Sequence, residues 1–304
     1  MCANRQRDIL ASMTVALVAM LIFDNAHAVE TSGARIVRFL AADGAPLERG
    51  WPVDCGVPTY LVVHGFNDSG TSAPCLRQAA AIQRRFPTAN VAIVDWVLPP
   101  EPPRDEKLSW ALPWEQLTDI VSEYTRAVRV STRLGREIAG WMKERGIQPS
   151  MTVVSGHSLG AQIAAFVSNE CAKPELFGEP VRAIVAADPA GPLFVGQPRE
   201  MRLDSTDADQ VIVVHATEVL GDKNAIGAVD VYVSWPESDA PDVITQHSLA
   251  REFITQSFLQ PALSNVDGSP FGINTLGAVG REREIRTFRP DADTLTGLLA
   301  MREH

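Results

Sequence analysis

The chain has 304 residues, of which 45% are hydrophobic, 21% are charged and 7% are aromatic, and its formal net charge at pH 7 is −10. This composition is typical of a globular protein and excludes collagen-like, coiled-coil and disordered chains. An acidic chain without a cluster of Lys and Arg lacks the positive surface that nucleic-acid binding requires, so nucleic acid is not expected as a partner.

The first 28 residues have the pattern of a secretory signal peptide. Arg5 and Arg7 precede an apolar run from Ile9 to Phe23, and Ala26-His27-Ala28 follows. A basic start, a short apolar run and an A-x-A site predict cleavage after this tripeptide. A membrane anchor, the alternative, would need about 20 apolar residues, and no other stretch of the chain provides them. Residues 29–304 are therefore expected to form one exported domain without a transmembrane segment, in the periplasm or outside the cell.

Three cysteines remain after that cleavage: Cys55, Cys75 and Cys171. In an exported protein an odd number permits at most one intramolecular disulfide and leaves one thiol. The segment between Cys55 and Cys75 could bring these two together, and the alternative is that all three are small buried apolar side chains. No cysteine spacing matches a C-x-x-C or zinc pattern.

Short, almost continuously apolar runs alternate with amphipathic stretches. Such runs are typical of parallel strands buried on both faces. The predicted strands are Thr59–His64, Val91–Asp95, Met151–Ser155, Val181–Ala187 and Gln210–Thr217. Helical periodicity is found at Asp119–Arg145, with Gly146 as the C-cap, at Leu159–Cys171 and at Ser248–Leu259. This alternation predicts an α/β fold with a mostly parallel central sheet and helices on both faces.

One segment, Val97 to Pro113, interrupts the alternation. It contains five prolines, which preclude regular structure over most of its length. Trp96, Trp110 and Trp114 lie in or beside it. A long loop directly after a strand of a parallel sheet often overhangs the ligand crevice. The alternative, a surface loop held to the body by aromatic packing, is equally compatible with the sequence.

The pentapeptide Gly156-His157-Ser158-Leu159-Gly160 has the G-x-S-x-G pattern. It follows a predicted strand and opens a predicted helix, which is the context that a nucleophile elbow requires. Glycine is required two positions before and two positions after the serine, because a side chain at either place would collide with the neighbouring strand or helix. We therefore predict that Ser158 is a nucleophile; the alternative is a tight turn that merely contains a serine.

A serine nucleophile needs a histidine base and an acid that holds the tautomer of that base. The histidines that follow the pentapeptide are His215, His247 and, at the end of the sequence, His304. His247 precedes a predicted helix, where its side chain can reach over the sheet edge, whereas His215 lies inside a predicted strand. His247 is thus the preferred base. For the acid, Asp188 at the end of a predicted strand competes with Glu218, and spacing does not decide between them.

The oxyanion of a tetrahedral intermediate needs two preorganised N–H donors. The residue after the nucleophile, Leu159, supplies one by the logic of the motif. The other is expected from Phe66, in the His64-Gly65-Phe66 segment that follows the first predicted strand. His64 itself is interpreted as a structural hydrogen-bonding residue rather than a second base.

Six longer segments carry a resemblance to a known family. They are VVHGFNDSG (62–70), VDW (94–96), GHSLGA (156–161), DPAGPLF (188–194), RLDSTDADQVIVVHAT (202–217) and HSLAREF (247–253). In this order they resemble the pancreatic lipase family of α/β-hydrolases, over roughly residues 59 to 255, and DPAGP and RLD-x-x-DAD are the most specific of them. The resemblance implies a catalytic Ser158, Asp188 and His247, with oxyanion donors at Phe66 and Leu159.

Two departures from that family bear on the substrate. Triglyceride-hydrolysing members carry a disulfide-bounded lid just before the catalytic histidine, but here the cysteine-free segment Val233–Gln246 occupies that place. The family's C-terminal lipid-associating β-sandwich is not expected in the residues after Leu259, where REREIRTF (281–288) forms at most one more strand. The resemblance therefore favours phospholipid or short- to medium-chain esters over triglyceride, with peripheral contact to a lipid surface as the corresponding partner prediction.

The resemblance also implies a structural calcium site. In lipases of this family the RLD-x-x-D stretch supplies two carboxylates, here Asp204 and Asp207, together with main-chain oxygens near Arg199 and Arg202. Hard oxygen ligands from one compact loop suit Ca²⁺. The alternative is a pair of loop-capping aspartates, and no other cofactor is required for the predicted chemistry.

Taken together, the residues and the resemblance predict a secreted serine carboxylic-ester hydrolase that acts through an acyl-enzyme. The alternative is a catalytically silent lipid-binding protein on the same fold, since the family includes yolk proteins that lost the triad. Retention of all three catalytic residue types argues against that alternative. An amidase or peptidase on the same fold is disfavoured only by the resemblance.

Overall fold

The computed structural model describes residues 37–47, 52–98, 113–236, 240–259, 263–264, 266–267, 270–271 and 284–303. The signal peptide assigned to residues 1–28 lies outside the described residues, as does most of the proline-rich segment, residues 99–112. Across the described part of the chain, no helix is both long and apolar enough to cross a membrane.

The described part of the chain is organised around one sheet of eight strands. These are β1 (Val37–Ala41), β2 (Thr59–Val63), β3 (Asn90–Trp96), β4 (Thr152–His157), β5 (Val181–Ala187), β6 (Ala208–His215), β7 (Val229–Val233) and β10 (Glu284–Phe288). The spatial order is β1-β3-β2-β4-β5-β6-β7-β10. Every neighbouring pair is parallel except β1 and β3, which run antiparallel at one edge. Two short strands, β8 (Leu263–Ser264) and β9 (Pro270–Phe271), pair with each other.

Helices cover both faces of this sheet. They are α1 (Ala73–Arg85), α2 (Pro113–Arg145), α3 (Leu159–Cys171), α4 (Val243–Leu259) and α5 (Ala292–Glu303). Side chains of α2 and α3 form one apolar core on one face, and those of α1, α4 and α5 form a second core on the other. Leu61 and Val63 enter the first core while Val62 enters the second. Because successive strand residues point to opposite covered faces, the strands read as continuous apolar runs.

The predicted mostly parallel α/β fold with helices on both faces is therefore confirmed. β5 and α3 have the predicted bounds, and the other predicted strands shift at their ends by one or two residues. The stretch REREIRTF contributes one strand, β10, which lies parallel to β7 at the second edge. Sequence reasoning missed α1, whose small and polar residues hide its buried stripe of Cys75, Ala79 and Ile82.

The start of α4 corrects one expectation. The helix predicted to begin at Ser248 in fact begins at Val243, so His247 lies inside it. Asp242 caps this helix: its Oδ1 accepts the N–H of Thr245 at 3.0 Å, and its carbonyl oxygen accepts the N–H of Gln246. The β-branched run after the cap lowers helix propensity, whereas the capping aspartate and tertiary packing favour the helix.

The structure does not contain a Cys55–Cys75 disulfide. Cys55, Cys75 and Cys171 are all free thiols. Cys55 is exposed before β2, with its Sγ 3.9 Å from the carbonyl oxygen of Arg145, whereas Cys75 is buried on α1, which follows that strand. The length of β2 therefore separates the two thiols. Burial raises the pKa of Cys75 to about 11 and that of Cys171 to about 12, so both behave as buried apolar side chains.

Candidate active site

Ser158 stands on a strained turn between β4 and α3. Its backbone has φ 55° and ψ −122°, a region that non-glycine residues rarely adopt and that costs of the order of 1–3 kcal/mol. Neighbouring backbone holds it there: its N–H donates to Ala187 at 2.9 Å, and its carbonyl oxygen accepts the N–H groups of Ala161 and Ala190 at 3.1 Å. The turn next to β5 is thus determined by three hydrogen bonds.

The glycines flanking Ser158 permit close backbone approaches. A Cβ on Gly156 would collide with the carbonyl group of Gly160. A Cβ on Gly160 would collide with the carbonyl oxygens of Val63 and His64 at the end of β2. Since these obstacles are backbone atoms, a small rotation of a side chain cannot relieve either collision.

We predict that Gly160→Ala destabilises the protein although it places alanine in a helix. Alanine normally stabilises a helix interior by about 0.5–1 kcal/mol relative to glycine. Collision with the end of β2 should outweigh this gain and lower the free energy of unfolding by roughly 3 kcal/mol. Gly140→Ala in α2 is the matched control, because no described atom lies within 4 Å of its added Cβ. Urea unfolding should show opposite signs for the two variants, and equal signs would contradict the steric explanation.

The structure brings Asp188 and His247 together beside this turn. Asp188 directly follows β5, the neighbour of β4, and His247 lies in the second turn of α4. The Nδ1 atom of His247 is 2.6 Å from Oδ2 of Asp188. Asp188 is fully buried, whereas the His247 side chain keeps 13% of its surface exposed. The acid is thus enclosed and the imidazole remains accessible.

Three further hydrogen bonds orient the Asp188 carboxylate. Its Oδ1 accepts the N–H groups of Ala216 at 2.7 Å and Thr217 at 3.1 Å, and its Oδ2 accepts the hydroxyl of Thr217 at 2.6 Å. The Thr217 hydroxyl oxygen in turn accepts the N–H of Gly221 at 2.8 Å. Sequence reasoning missed Thr217. Its only signal was a hydroxyl residue just after β6, the strand that neighbours β5.

The two alternatives considered from sequence do not reach this site. His215 is buried in β6, with its Nε2 2.8 Å from Oδ1 of Asp230 and its Nδ1 2.6 Å from the carbonyl oxygen of Asp222. Both ring nitrogens therefore have partners, one in β7 and one in the connection between β6 and β7. Glu218 is exposed to solvent. Asp188, not Glu218, is the acid that contacts a histidine accessible to solvent.

The residues predicted to supply the oxyanion donors lie close to Ser158. Leu159 is the first residue of α3, so its N–H has no acceptor within the helix and lies at the positive end of the helix dipole. Gly65, which precedes Phe66, approaches the serine so closely that a Cβ on it would lie 3.1 Å from Cβ of Ser158. Among the described residues, no hydrogen-bond acceptor is found for the Phe66 N–H.

His157 links the serine turn to α4. Its Nε2 is 3.0 Å from the carbonyl oxygen of His247, and the two rings are 4.7 Å apart. Burial, and then the neighbouring His247, hold the pKa of His157 well below its ordinary value. His157 is therefore neutral and donates its Nε2–H to that carbonyl group. Sequence reasoning did not assign this residue a role.

A partly buried ion pair links α4 to the loop that carries Phe66. Arg251 lies one turn after His247, and its Nη1 is 2.6 Å from Oδ2 of Asp68. Burial acts to raise the pKa of Asp68, but the charge and hydrogen bond of Arg251 outweigh it, so the pKa lies below the ordinary value. Asp68 therefore remains a carboxylate at neutral pH, and the pair ties together the two segments that carry Phe66 and His247.

The two carboxylates of the implied calcium site lie in one compact loop. Thr206 donates its N–H and hydroxyl to Oδ1 of Asp204, and Oδ2 of Asp207 accepts the N–H of Asp204. Oδ2 of Asp204 is buried without a hydrogen-bond partner and lies 3.5 Å from Nε of Arg199. Burial raises the pKa of Asp207 to about 7. Oδ2 of Asp204, which accepts no hydrogen bond, and the buried carboxylate of Asp207 together fit a hard cation in charge.

Side chains alone do not complete such a site. The described residues contain no group of three or more His, Cys, Asp and Glu side chains arranged to hold a metal ion. Main-chain oxygens would have to supply the remaining ligands. The carbonyl oxygen of Arg199, one of those expected from the sequence, accepts the N–H of Arg202 at 3.2 Å.

Comparisons with known proteins find lipases and phospholipases among the sequence relatives of this chain. A family model described as Lipase matches residues 112–248. Lipase member H of Rattus norvegicus is 30% identical over 175 residues, covering 57% of this chain and 34% of that protein. Pancreatic lipase-related protein 2 of Bos taurus is 31% identical over 188 residues, covering 57% and 34%. Phospholipase A1 of Vespa velutina is 36% identical over 115 residues, covering 36% and 37%.

These matches span 34 to 37% of the length of the three relatives, so they concern only part of each of those proteins. Among solved structures, esterase LipW from Mycobacterium marinum is 16% identical to this chain. The alignment covers 99% of this chain and 83% of the esterase, with a TM-score of 0.36. The family model and the sequence relatives together support the resemblance of this chain to the pancreatic lipase family of α/β-hydrolases.

Proposed function

We propose that this protein is a serine hydrolase that cleaves carboxylic esters of lipids or other acyl esters. The observation that carries the proposal is the 2.6 Å contact between His247 and the buried Asp188, beside a serine held on a strained strand-to-helix turn. A nucleophile, a base and an orienting acid on three neighbouring segments are what acyl transfer requires. The names of the sequence relatives, which include lipases and a phospholipase A1, support the same class of reaction.

In the proposed reaction the Ser158 hydroxyl attacks the acyl carbon while His247 accepts its proton. Asp188 keeps Nδ1 of His247 protonated, so that Nε2 is the basic atom, and stabilises the imidazolium that forms. The N–H groups of Phe66 and Leu159 stabilise the oxyanion. The tetrahedral intermediate then expels the alcohol, which takes the proton from His247. Water, deprotonated by the same histidine, cleaves the resulting acyl-enzyme and releases the acid.

Phospholipids and short- to medium-chain esters are the proposed substrates, ahead of long-chain triglycerides. Support comes from the segment between β7 and α4, residues 234–242, which is short and contains no cysteine to bound a lid. We further propose that residues 1–28 direct export and that the exported protein contacts lipid surfaces peripherally.

The test uses the full chain, expressed in a host that can export it. The exported product is assayed for acid release from p-nitrophenyl butyrate, phosphatidylcholine vesicles and emulsified triolein, and it is treated with a fluorophosphonate that labels activated serines. We expect label on the peptide containing Ser158, a new N-terminus at Val29 and turnover of at least one of the first two substrates. A folded protein with neither turnover nor label would favour the catalytically silent lipid-binding alternative.

We also propose that Asp204 and Asp207, with main-chain oxygens of Arg199 and Arg202, hold a structural Ca²⁺. When bound, the ion would neutralise the two buried carboxylates and stabilise the loop that leads into β6. Calcium at about a hundred times its dissociation constant should stabilise the fold by about 2.7 kcal/mol. This corresponds to a rise in the unfolding midpoint of roughly 5 °C or more.

The prediction is checked by thermal unfolding in EDTA and in calcium. Asp204→Asn keeps the Oδ1 acceptor used by Thr206 but removes the charge, so it should abolish the calcium-dependent rise. Asp209→Asn, at an exposed position in the same stretch, should keep it. No calcium effect in the unmodified protein would favour two aspartates that only cap the loop.

A further inference from the structure

His64 is a buried polar residue that the proposed reaction does not use. It directly follows β2, is 1% exposed, and stacks on Trp96 with the ring centroids 4.9 Å apart and the planes at 5°. The indole Nε1 of Trp96 donates to the carbonyl oxygen of His64 at 2.9 Å. The imidazole is thus held in one orientation by the residue that ends β3.

The partners of the two ring nitrogens define their protonation. Nδ1 is 2.8 Å from the carbonyl oxygen of Gly65, which can only accept, so Nδ1 carries a hydrogen. Nε2 is 3.1 Å from the backbone nitrogen of Trp96, whose N–H can only donate, so Nε2 accepts. Oδ1 of Asp95 is farther from Nε2, at 3.6 Å, and already accepts the N–H of Gly70. The geometry assigns His64 the neutral tautomer with hydrogen on Nδ1.

The carbonyl group that His64 holds belongs to the same peptide unit as the Phe66 N–H. A trans peptide is planar, and its C=O and N–H point in opposite directions. No cis peptide bond occurs among the described residues. A hydrogen bond to the Gly65 oxygen therefore determines the direction of the Phe66 N–H.

The peptide unit between Gly65 and Phe66 is not part of a helix or strand. Gly65, Phe66 and Asn67 belong to no helix or strand, and Asn67 has φ 59°. An oxyanion donor contributes most when it is oriented before the reaction. We propose that His64 is a positioning residue that keeps the Phe66 N–H directed at the oxyanion next to Ser158. This inference rests on the proposed function.

Two substitutions separate the two hydrogen bonds of the ring. In His64→Asn the side-chain amide can take the place of Nδ1, keeping the bond to Gly65 and losing the one to Trp96. In His64→Gln the longer amide reaches the place of Nε2, keeping the Trp96 bond and losing the one to Gly65. Both remove a buried ring and one hydrogen bond, so their losses of packing are matched.

We expect His64→Gln to lower kcat for p-nitrophenyl butyrate by about 100-fold with KM unchanged, because one oxyanion donor loses its orientation. The rate of labelling by the fluorophosphonate should fall with it, since that adduct also places an oxygen at the oxyanion position. His64→Asn should keep most of the activity. A purely structural role would lower the unfolding midpoint of both variants alike and leave the difference in kcat near zero, which would overturn the proposal.

If the variants do not fold, the tautomer of His64 can still be tested in the unmodified protein. Nitrogen-15 chemical shifts of the histidine rings report which nitrogen carries the hydrogen, and His64 should show the Nδ1–H tautomer. The Nε2–H tautomer would overturn the assignment. The two proposals fail differently: an unmodified protein that neither turns over esters nor reacts with the fluorophosphonate refutes the proposed function, whereas an active protein with equally active Asn and Gln variants refutes only the role of His64.

Discussion

Ser158→Ala is expected to lower kcat for ester hydrolysis by about 10⁶-fold, because the substitution removes the hydroxyl that the histidine base activates. Folding should be unaffected. Neighbouring backbone groups hold the turn through the N–H and carbonyl oxygen of residue 158, and alanine retains both. The unfolding midpoint should therefore stay within about 2 °C of that of the unmodified protein.

The measurement is kcat on p-nitrophenyl butyrate at equal concentrations of folded protein, with circular dichroism to confirm folding. Ser150→Ala is the matched control, because Ser150 is exposed in the turn before β4, at the opposite end of that strand from Ser158. It should retain full activity. Equal activity of the two variants would remove Ser158 from the mechanism, and any remaining hydrolysis would have to come from another group.

Asp188→Asn is expected to lower kcat by about 10⁴-fold while KM changes little. The direction of the new amide follows from the hydrogen bonds. Oδ1 accepts two backbone N–H groups, so the amide oxygen must take its place, and the NH₂ group must take the place of Oδ2 facing His247. The amide would then donate to Nδ1 of His247, and the ring hydrogen would move to Nε2. In that tautomer His247 cannot accept a proton from Ser158.

Another buried aspartate–histidine pair, formed by Asp230 and His215, provides the control. Oδ1 of Asp230 is 2.8 Å from Nε2 of His215, and both residues are buried as Asp188 is. Asp230→Asn should therefore lower stability but leave kcat per folded molecule within about threefold, since this pair does not contact the proposed nucleophile. Activity and urea unfolding measured on both variants would separate the two effects. Equal losses of kcat would show that Asp188 acts through stability alone.

The fold class could be predicted because its signals are local. A strand covered on both faces must be apolar at every position, and the α3 helix starts where the G-x-S-x-G turn ends. β1 and α1 were not predicted, because their residues do not form such a local signal. β1 is a short edge strand in which only Val37 and Leu40 are buried, and the buried face of α1 is made largely of alanine and cysteine.

The candidate site was only partly predictable. The serine is identified by a pattern five residues long, but the distance between Ser158 and its partners along the chain carries no information about their distance in space. From spacing alone, His215 competed with His247 and Glu218 competed with Asp188. The structure separates them, because β6 directs His215 into contact with Asp230 while α4 places His247 against Asp188.

By itself, then, the sequence determined the mostly parallel α/β sheet, the serine turn and the resemblance to lipases, since each depends on a pattern of residues that are near one another in the chain. The tertiary structure decided what depends on packing between distant segments. Thr217 holds the acid, Arg251 joins α4 to the loop after β2, and His64 orients the peptide that precedes Phe66. A hydrogen bond requires its two heavy atoms to lie within about 3 Å of each other. Spacing along the chain does not specify such a distance, so these contacts form only when the sheet brings the ends of its strands together.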